Sequence, residues 1–120
     1  MKTKKDYIII PFVIYPFDLM VSIQNESDFI GTLKKILPED VHDEINIVLP
    51  KGRGRSAMFS SGQSVIHLSS FDEGTIAHES FHIVQYLMAR LETPLVIDTE
   101  EPYAYLLEYI VNEIHKWLGK

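Results

Sequence analysis

Three residues whose side chains can bind a metal ion or accept a proton lie within a five-residue segment: His78, Glu79 and His82, in the pattern His-Glu-x-x-His. On an α-helix, residues four apart lie one turn apart on nearly the same face, so both imidazoles can reach one metal ion. Glu79 lies beside them, where its carboxylate could accept a proton from water bound to that metal. The spacing therefore predicts a Zn²⁺ site with His78 and His82 as ligands and Glu79 as the catalytic base.

The residues around this motif predict the helix that it needs. Apolar residues recur at helical spacing on faces away from the two histidines. Asp72 or Thr75 could cap the start of the helix, and Pro94 prevents its continuation, which gives about four turns. The alternative is a buried helix without metal, in which both histidines are hydrogen-bonded core residues. That arrangement is disfavoured because a buried His-Glu-x-x-His cluster leaves several polar groups to satisfy.

A catalytic zinc usually has three protein ligands and one open position, so a third ligand is required. The metzincin pattern, with Gly and a third His further along the helix, is excluded because Gln85 and Met88 occupy those positions. Carboxylates of the last predicted helix remain as candidates. Glu101 follows His82 by 19 residues, and Glu108 is the alternative. Glu101 could instead be a helix cap, since Asp98-x-x-Glu101 approximates a capping box.

Composition narrows the class of protein. The chain has 120 residues and a net charge of −6, which argues against nucleic acid as the main partner. It has no cysteine, so disulfides and cysteine-containing zinc sites are excluded and a reducing compartment is compatible. The apolar run at 8–15 is too short to span a membrane and is interrupted by Pro11, so it is interpreted as a strand rather than a signal peptide. We expect a cytoplasmic protein without membrane contact.

The order of elements predicts one α+β domain over residues 1–120, with a small mixed sheet, an N-terminal helix, the motif helix and a C-terminal helix. The last two helices are expected on one face of the sheet. The predicted strands are 7–14 and 17–24 (or one long strand broken at Tyr15-Pro16), 45–49, 56–60 and 64–69. Three helices are predicted. The first begins at Asn25 or Ser27 and ends at Pro38, the second contains the motif, and the third covers 99–118. The strand 65–68 could be an open edge along which an extended peptide pairs, or a structural strand without that role.

Four segments carry a resemblance to a known family: 15–21, 61–68, 77–82 and 100–110. Together they resemble the small zincin-like metallopeptidases of phage and prophage genomes, and a motif helix followed by a helix with a glutamate is similar to the gluzincin arrangement. The resemblance implies a minimal zincin-like fold with zinc bound by His78, His82 and Glu101, and with Glu79 as the base. Tyr105 stands where many gluzincins have an aspartate that orients the first histidine.

The predicted function is a zinc-dependent metallopeptidase-like hydrolase that cleaves peptide bonds with metal-activated water, acting on a peptide or protein. The oxyanion donor could be Tyr103, Tyr105, His67 or His115. The alternative is a non-catalytic, zinc-stabilised protein of the same fold that acts as a protein-binding module. A metal-free fold is a third possibility.

Overall fold

A computed structural model describes residues 6–12 and 15–119. Its strands are β1 (Tyr7–Pro11), β2 (Asp18–Ser22), β3 (Gly54–Met58) and β4 (Ser64–Leu68). Its α-helices are α1 (Glu26–Ile36), α2 (Glu73–Arg90) and α3 (Glu100–Leu118), and two 3₁₀ helices cover Glu39–Val48 and Ile97–Thr99. The predicted α+β class is confirmed. Among the described helices, none has the length and apolar character needed to cross a membrane.

The four strands form one mixed sheet in the order β1-β2-β4-β3. β2 and β4 are parallel, whereas β1 pairs with β2 and β3 pairs with β4 in antiparallel fashion. Every residue of β4 is buried. The prediction that residues 65–68 form an open edge is therefore wrong, because β4 has a strand on each side. Within the described chain, the end strands of the sheet are β1 and β3.

Both faces of the sheet are covered, each by its own hydrophobic core. On one face, α2 and α3 pack on alternate strand residues such as Leu19, Ile66 and Leu68. On the other face, α1 and the first 3₁₀ helix pack on Met20 and Val65. Successive side chains of a strand point to opposite faces, which is why neighbours such as Val65 and Ile66 enter different cores. The motif helix and the C-terminal helix thus lie on one face, as expected, and α1 lies on the other.

The predicted strand at 45–49 is also wrong, because these residues belong mainly to the 3₁₀ helix Glu39–Val48. Val41, Ile45 and Val48 are buried at spacings of four and three residues. That helical spacing turns one apolar side towards α1, and burial outweighs the strand preference of Ile and Val.

The remaining boundaries agree more closely with the sequence. Asn25 caps α1, since its side chain accepts a hydrogen bond from the Asp28 backbone N–H. The first two strands are shorter than 7–14 and 17–24, and residues 13–14 lie outside the described part of the chain. β3 begins and ends two residues before the predicted 56–60.

Candidate metal-binding and catalytic site

The motif lies in the middle of α2, which is longer than expected at 18 residues. Its N-cap is Asp72, whose side chain accepts hydrogen bonds from the Thr75 backbone N–H at 3.0 Å and from the Thr75 hydroxyl at 2.7 Å. The Ser70 hydroxyl also donates to this carboxylate. These hydrogen bonds, first that of Ser70 and then those of Thr75, hold the pKa of Asp72 well below its usual range. A charged cap therefore fixes the start of the helix that presents the motif.

The two histidines are brought together as the spacing predicts. Nε2 of His78 lies 3.2 Å from Nε2 of His82, and the rings meet edge to face with centroids 4.8 Å apart. His78 is exposed, with 67% of its side chain accessible, and His82 is half-buried. The ring of His82 is stacked on Tyr86 at 6.0 Å with an interplanar angle of 16°. The His78 side chain is thus open to solvent, and Tyr86 supports the ring of His82.

This separation fits a shared metal ion. Two nitrogens that bind one tetrahedral zinc at about 2.0–2.1 Å must lie roughly 3.3 Å apart, close to the 3.2 Å observed. A hydrogen bond between the rings would also give this distance, with one nitrogen donating and the other accepting. A shared metal ion needs both Nε2 atoms without a proton, whereas the hydrogen bond needs a proton on one of the two.

Glu79 is held in place rather than exposed. Only 7% of the residue is accessible. Its Oε1 accepts a hydrogen bond from the Ser56 hydroxyl at 2.8 Å, and its Oε2 lies 4.0 Å from Nε2 of His78. One carboxylate oxygen is therefore fixed by β3, and the other faces the first histidine.

β3 fits against this carboxylate because two alternate residues are small. A Cβ at Gly54 would lie 2.8 Å from Cγ of Glu79 and 3.1 Å from its Oε2, a contact that only glycine avoids. Ser56, two residues later on the same face of the strand, reaches the carboxylate with its hydroxyl. Glu79 is thus enclosed between its own helix and an end strand of the sheet.

The structure does not bring Glu101 into a group with the histidine pair. In the described ranges 6–12 and 15–119, no three His, Asp or Glu residues are grouped so that they could hold a metal ion. Glu101 and Glu108 are both exposed on α3, as is Tyr105 between them. This stripe of α3 therefore faces solvent. Glu101 as third ligand stays a prediction.

The alternative role of Glu101 as part of a capping box is wrong. The N-cap of α3 is Thr99, without a side-chain capping bond, and Asp98 lies in the preceding 3₁₀ helix. The Thr99 hydroxyl instead accepts from the Val96 backbone N–H at 3.0 Å and donates to the Pro94 carbonyl at 2.5 Å. This local turn fixes the start of α3 without using Asp98 or Glu101.

The four candidate oxyanion donors lie in different places. His67 is buried on the opposite face of the sheet, 5.0 Å from the Phe29 ring and with Nε2 2.8 Å from the Gln24 carbonyl oxygen. His115 lies in the last turn of α3. Tyr105 is exposed, and the Tyr103 hydroxyl donates to the Thr93 carbonyl at 2.6 Å.

We compared the chain with family models, with curated proteins and with solved structures. None of the three comparisons finds a match. The functional interpretation therefore depends on the geometry of the residues themselves.

Sequence reasoning missed three residues of the site, namely Gly54, Ser56 and Tyr86. Gly54 belongs to the segment 51–55, in which three basic residues alternate with two glycines, a composition typical of a solvated turn. In the structure it is the first residue of β3. Two small residues in alternation, Gly54 and Ser56, are the signal that this strand faces something closely packed. Only the tertiary structure identifies that neighbour as Glu79.

Proposed function

We propose that this protein is a metal-dependent hydrolase of the metallopeptidase type. The observation that carries the proposal is the pair of facing imidazole nitrogens, 3.2 Å apart, beside a buried and hydrogen-bonded glutamate. His78 and His82 would hold a zinc ion, with Glu101 as the predicted third ligand. Such an ion, when bound, supplies Lewis-acid activation of water and of the scissile carbonyl.

Within this proposal Glu79 is the general base. Ser56 occupies Oε1 of Glu79, which leaves Oε2, on the side of His78, to accept a proton and later to deliver it to the leaving amine. Burial excludes most bulk water from this carboxylate, and its fixed rotamer keeps the accepting oxygen near the histidine pair.

A peptide substrate would approach along β3. As an end strand without a further strand partner among the described residues, β3 can hydrogen-bond to an extended chain. β3 also contacts Glu79 through Ser56, so a peptide paired there lies beside the carboxylate. The open edge is therefore β3, not β4 as expected from the sequence.

We place the protein in the cytoplasm as part of the proposal, because the absence of cysteine fits a reducing compartment.

A second candidate is a zinc-stabilised binding module without turnover. It is favoured by one observation, namely the exposed aliphatic side chains of Leu95, Val96 and Ile97, which offer a surface for a partner. The two candidates differ in turnover: both bind metal through His78 and His82, but only the hydrolase requires Glu79 for cleavage.

The test is metal content by elemental mass spectrometry on protein purified without a metal-affinity step. Wild type is expected to hold about one zinc per chain, and His78→Ala and His82→Ala should lose it. His42→Ala is the matched control, since this histidine lies near the Leu37 carbonyl, outside the site. Glu101→Ala and Glu108→Ala, measured in parallel, identify the third ligand.

A peptide-cleavage assay follows with Glu79→Gln. The hydrolase proposal predicts zinc retention with loss of cleavage by at least about a hundredfold in this variant. No zinc in wild type after reconstitution would overturn both candidates, whereas bound zinc without any cleavage by wild type would leave the binding module.

A further inference from the structure

A groove lies at the C-terminal end of α2, beside the histidine pair. Its volume is about 580 Å³, and aromatic and aliphatic residues of α2, α3 and the intervening loop dominate its lining, among them Tyr86, Ala89, Pro94, Leu95 and Tyr103. This volume lies in the range of ligand-binding clefts and has room for more than one large side chain. The Tyr103 hydroxyl is bonded to the Thr93 carbonyl, so the wall formed by α3 is tied to the loop.

The groove adjoins the proposed site through one residue. Tyr86 lines the groove and also stacks on the ring of His82. His82 precedes Tyr86 by one turn of α2. A turn advances about 5.4 Å along the helix axis, comparable to two residues of an extended peptide. A side chain in this groove would therefore belong to a residue near the one that lies at the histidines.

The rim of the groove is unusually apolar for an exposed loop. Leu95, Val96 and Ile97 follow one another, and all three are exposed, Ile97 to 86%. Leu91, at the end of α2, is exposed as well. Contiguous exposed aliphatic side chains of this kind mark interaction sites in soluble proteins.

The charged residues of the segment 91–101, which includes the loop of the groove, are all acidic. Glu92 lines the groove, and Asp98, Glu100 and Glu101 are exposed beside the loop. None of these four forms an ion pair with any other residue in the described part of the chain. From residue 91 to residue 115 the sequence contains no Lys or Arg.

Arg90, the cation that directly precedes this segment in the sequence, is directed away from these carboxylates. Nη2 of Arg90 donates to the Ser60 carbonyl at 3.1 Å, and its guanidinium lies over the Phe17 ring. Among the described residues, no ion pair therefore neutralises these four carboxylates. A second copy of this face, a nucleic acid or an anionic lipid surface would all be repelled by it.

We propose that the groove and its rim, residues 91–101 with Tyr86 and Tyr103, bind a peptide segment that combines large apolar side chains with Lys or Arg. The apolar side chains occupy the groove and cover Leu95 to Ile97, while the cations approach Glu92 and the neighbouring carboxylates. As the substrate class of the hydrolase this rests on the proposed function; as a peptide-binding surface it does not.

The test uses the full chain with Glu79→Gln, so that binding is measured without cleavage. The probes are three fluorescent dodecapeptides of identical length: one of alternating Leu and Lys, one with Glu in place of Lys, and one with Ser in place of Leu. Fluorescence anisotropy should show at least about tenfold tighter binding of the Leu-Lys peptide than of either control, with affinity that falls as salt rises.

Two further substitutions locate the binding surface. Ile97→Ser and Glu92→Gln should each weaken binding of the Leu-Lys peptide by about three- to tenfold. Ile47→Ser is the matched control, because Ile47 is also exposed, at 58%, but lies in the first 3₁₀ helix. Circular dichroism checks that each variant is folded.

Several outcomes would overturn the inference. Equal binding of the Leu-Lys and Leu-Glu peptides would remove the charge argument, and variants at 92 and 97 that behave like Ile47→Ser would remove the surface. A dimer in sedimentation velocity that Ile97→Ser disrupts would assign the rim to a second copy instead. Selective peptide binding without cleavage by wild type would keep this inference and reject the hydrolase.

Discussion

At the scale of single residues, the site depends on how one carboxylate is held. Glu79 is nearly inaccessible, and the Ser56 hydroxyl donates to it at 2.8 Å. A buried carboxylate without its hydrogen-bond donor is costly, because desolvation is no longer offset. Ser56 therefore contributes both to stability and to the position of the proposed base.

Ser56→Ala should lower the free energy of unfolding by about 1–3 kcal/mol, since the carboxylate loses a donor in a buried site. Ser56→Thr keeps the hydroxyl and should restore most of this loss. Ser69→Ala, at an exposed serine, is the control and should change little. Urea unfolding followed by circular dichroism measures all three. A change below about 0.5 kcal/mol in Ser56→Ala would contradict the proposed role of the hydrogen bond.

At the scale of elements, the start of α2 depends on a charged cap. The pKa of Asp72 is lowered in the folded protein by the Ser70 and Thr75 hydrogen bonds. A lowered pKa means that the folded state binds the proton less tightly than the unfolded state. The resulting stabilisation is present above the unfolded pKa of about 3.9 and is lost as pH falls below it towards the folded pKa.

Asp72→Asn should therefore reduce the urea midpoint of unfolding above about pH 5, and its difference from wild type should shrink as pH falls below about 4. Asn keeps an acceptor oxygen at the cap but has no charge to titrate. Asp43→Asn is the matched control, at an exposed aspartate of the first 3₁₀ helix. If the difference between wild type and Asp72→Asn is the same at pH 3 and pH 7, the charge of Asp72 does not stabilise the helix.

At the scale of the whole molecule, β4 joins the two cores. Its residues alternate between the core under α2 and α3 and the core under α1, and every one of them is buried. β4 also connects β2 with β3. A defect in this strand would therefore affect both layers and the support of the site.

Ile66→Ala should lower the free energy of unfolding by about 2–5 kcal/mol. The Ile66 side chain is fully buried on the face of the sheet that α2 covers, and its truncation leaves a cavity there. Ile47→Ala removes the same atoms from an exposed position and should cost less than about 1 kcal/mol. Chemical denaturation compares the two. Equal losses would show that position 66 is not part of a packed core.

The sequence by itself determined the features that depend on local periodicity and capping. Four-residue spacing placed His78 and His82 on one face of a helix. The starts of α1 and α2 were each narrowed to two candidate caps, which included the observed Asn25 and Asp72, because capping needs only neighbouring residues. The α+β class followed from the order of strands and helices.

Tertiary structure decided the features that depend on long-range packing. The apolar segment 45–49, predicted as a strand, lies mainly in a 3₁₀ helix because burial against α1 outweighed strand preference. The parallel pairing of β2 with β4 joins segments that are distant in sequence, and it moved the open edge from β4 to β3. The contact of Ser56 with Glu79 spans 23 residues, so no local pattern could specify it. Side-chain spacing encodes a helix face, but only the packed sheet determines which strand that face meets.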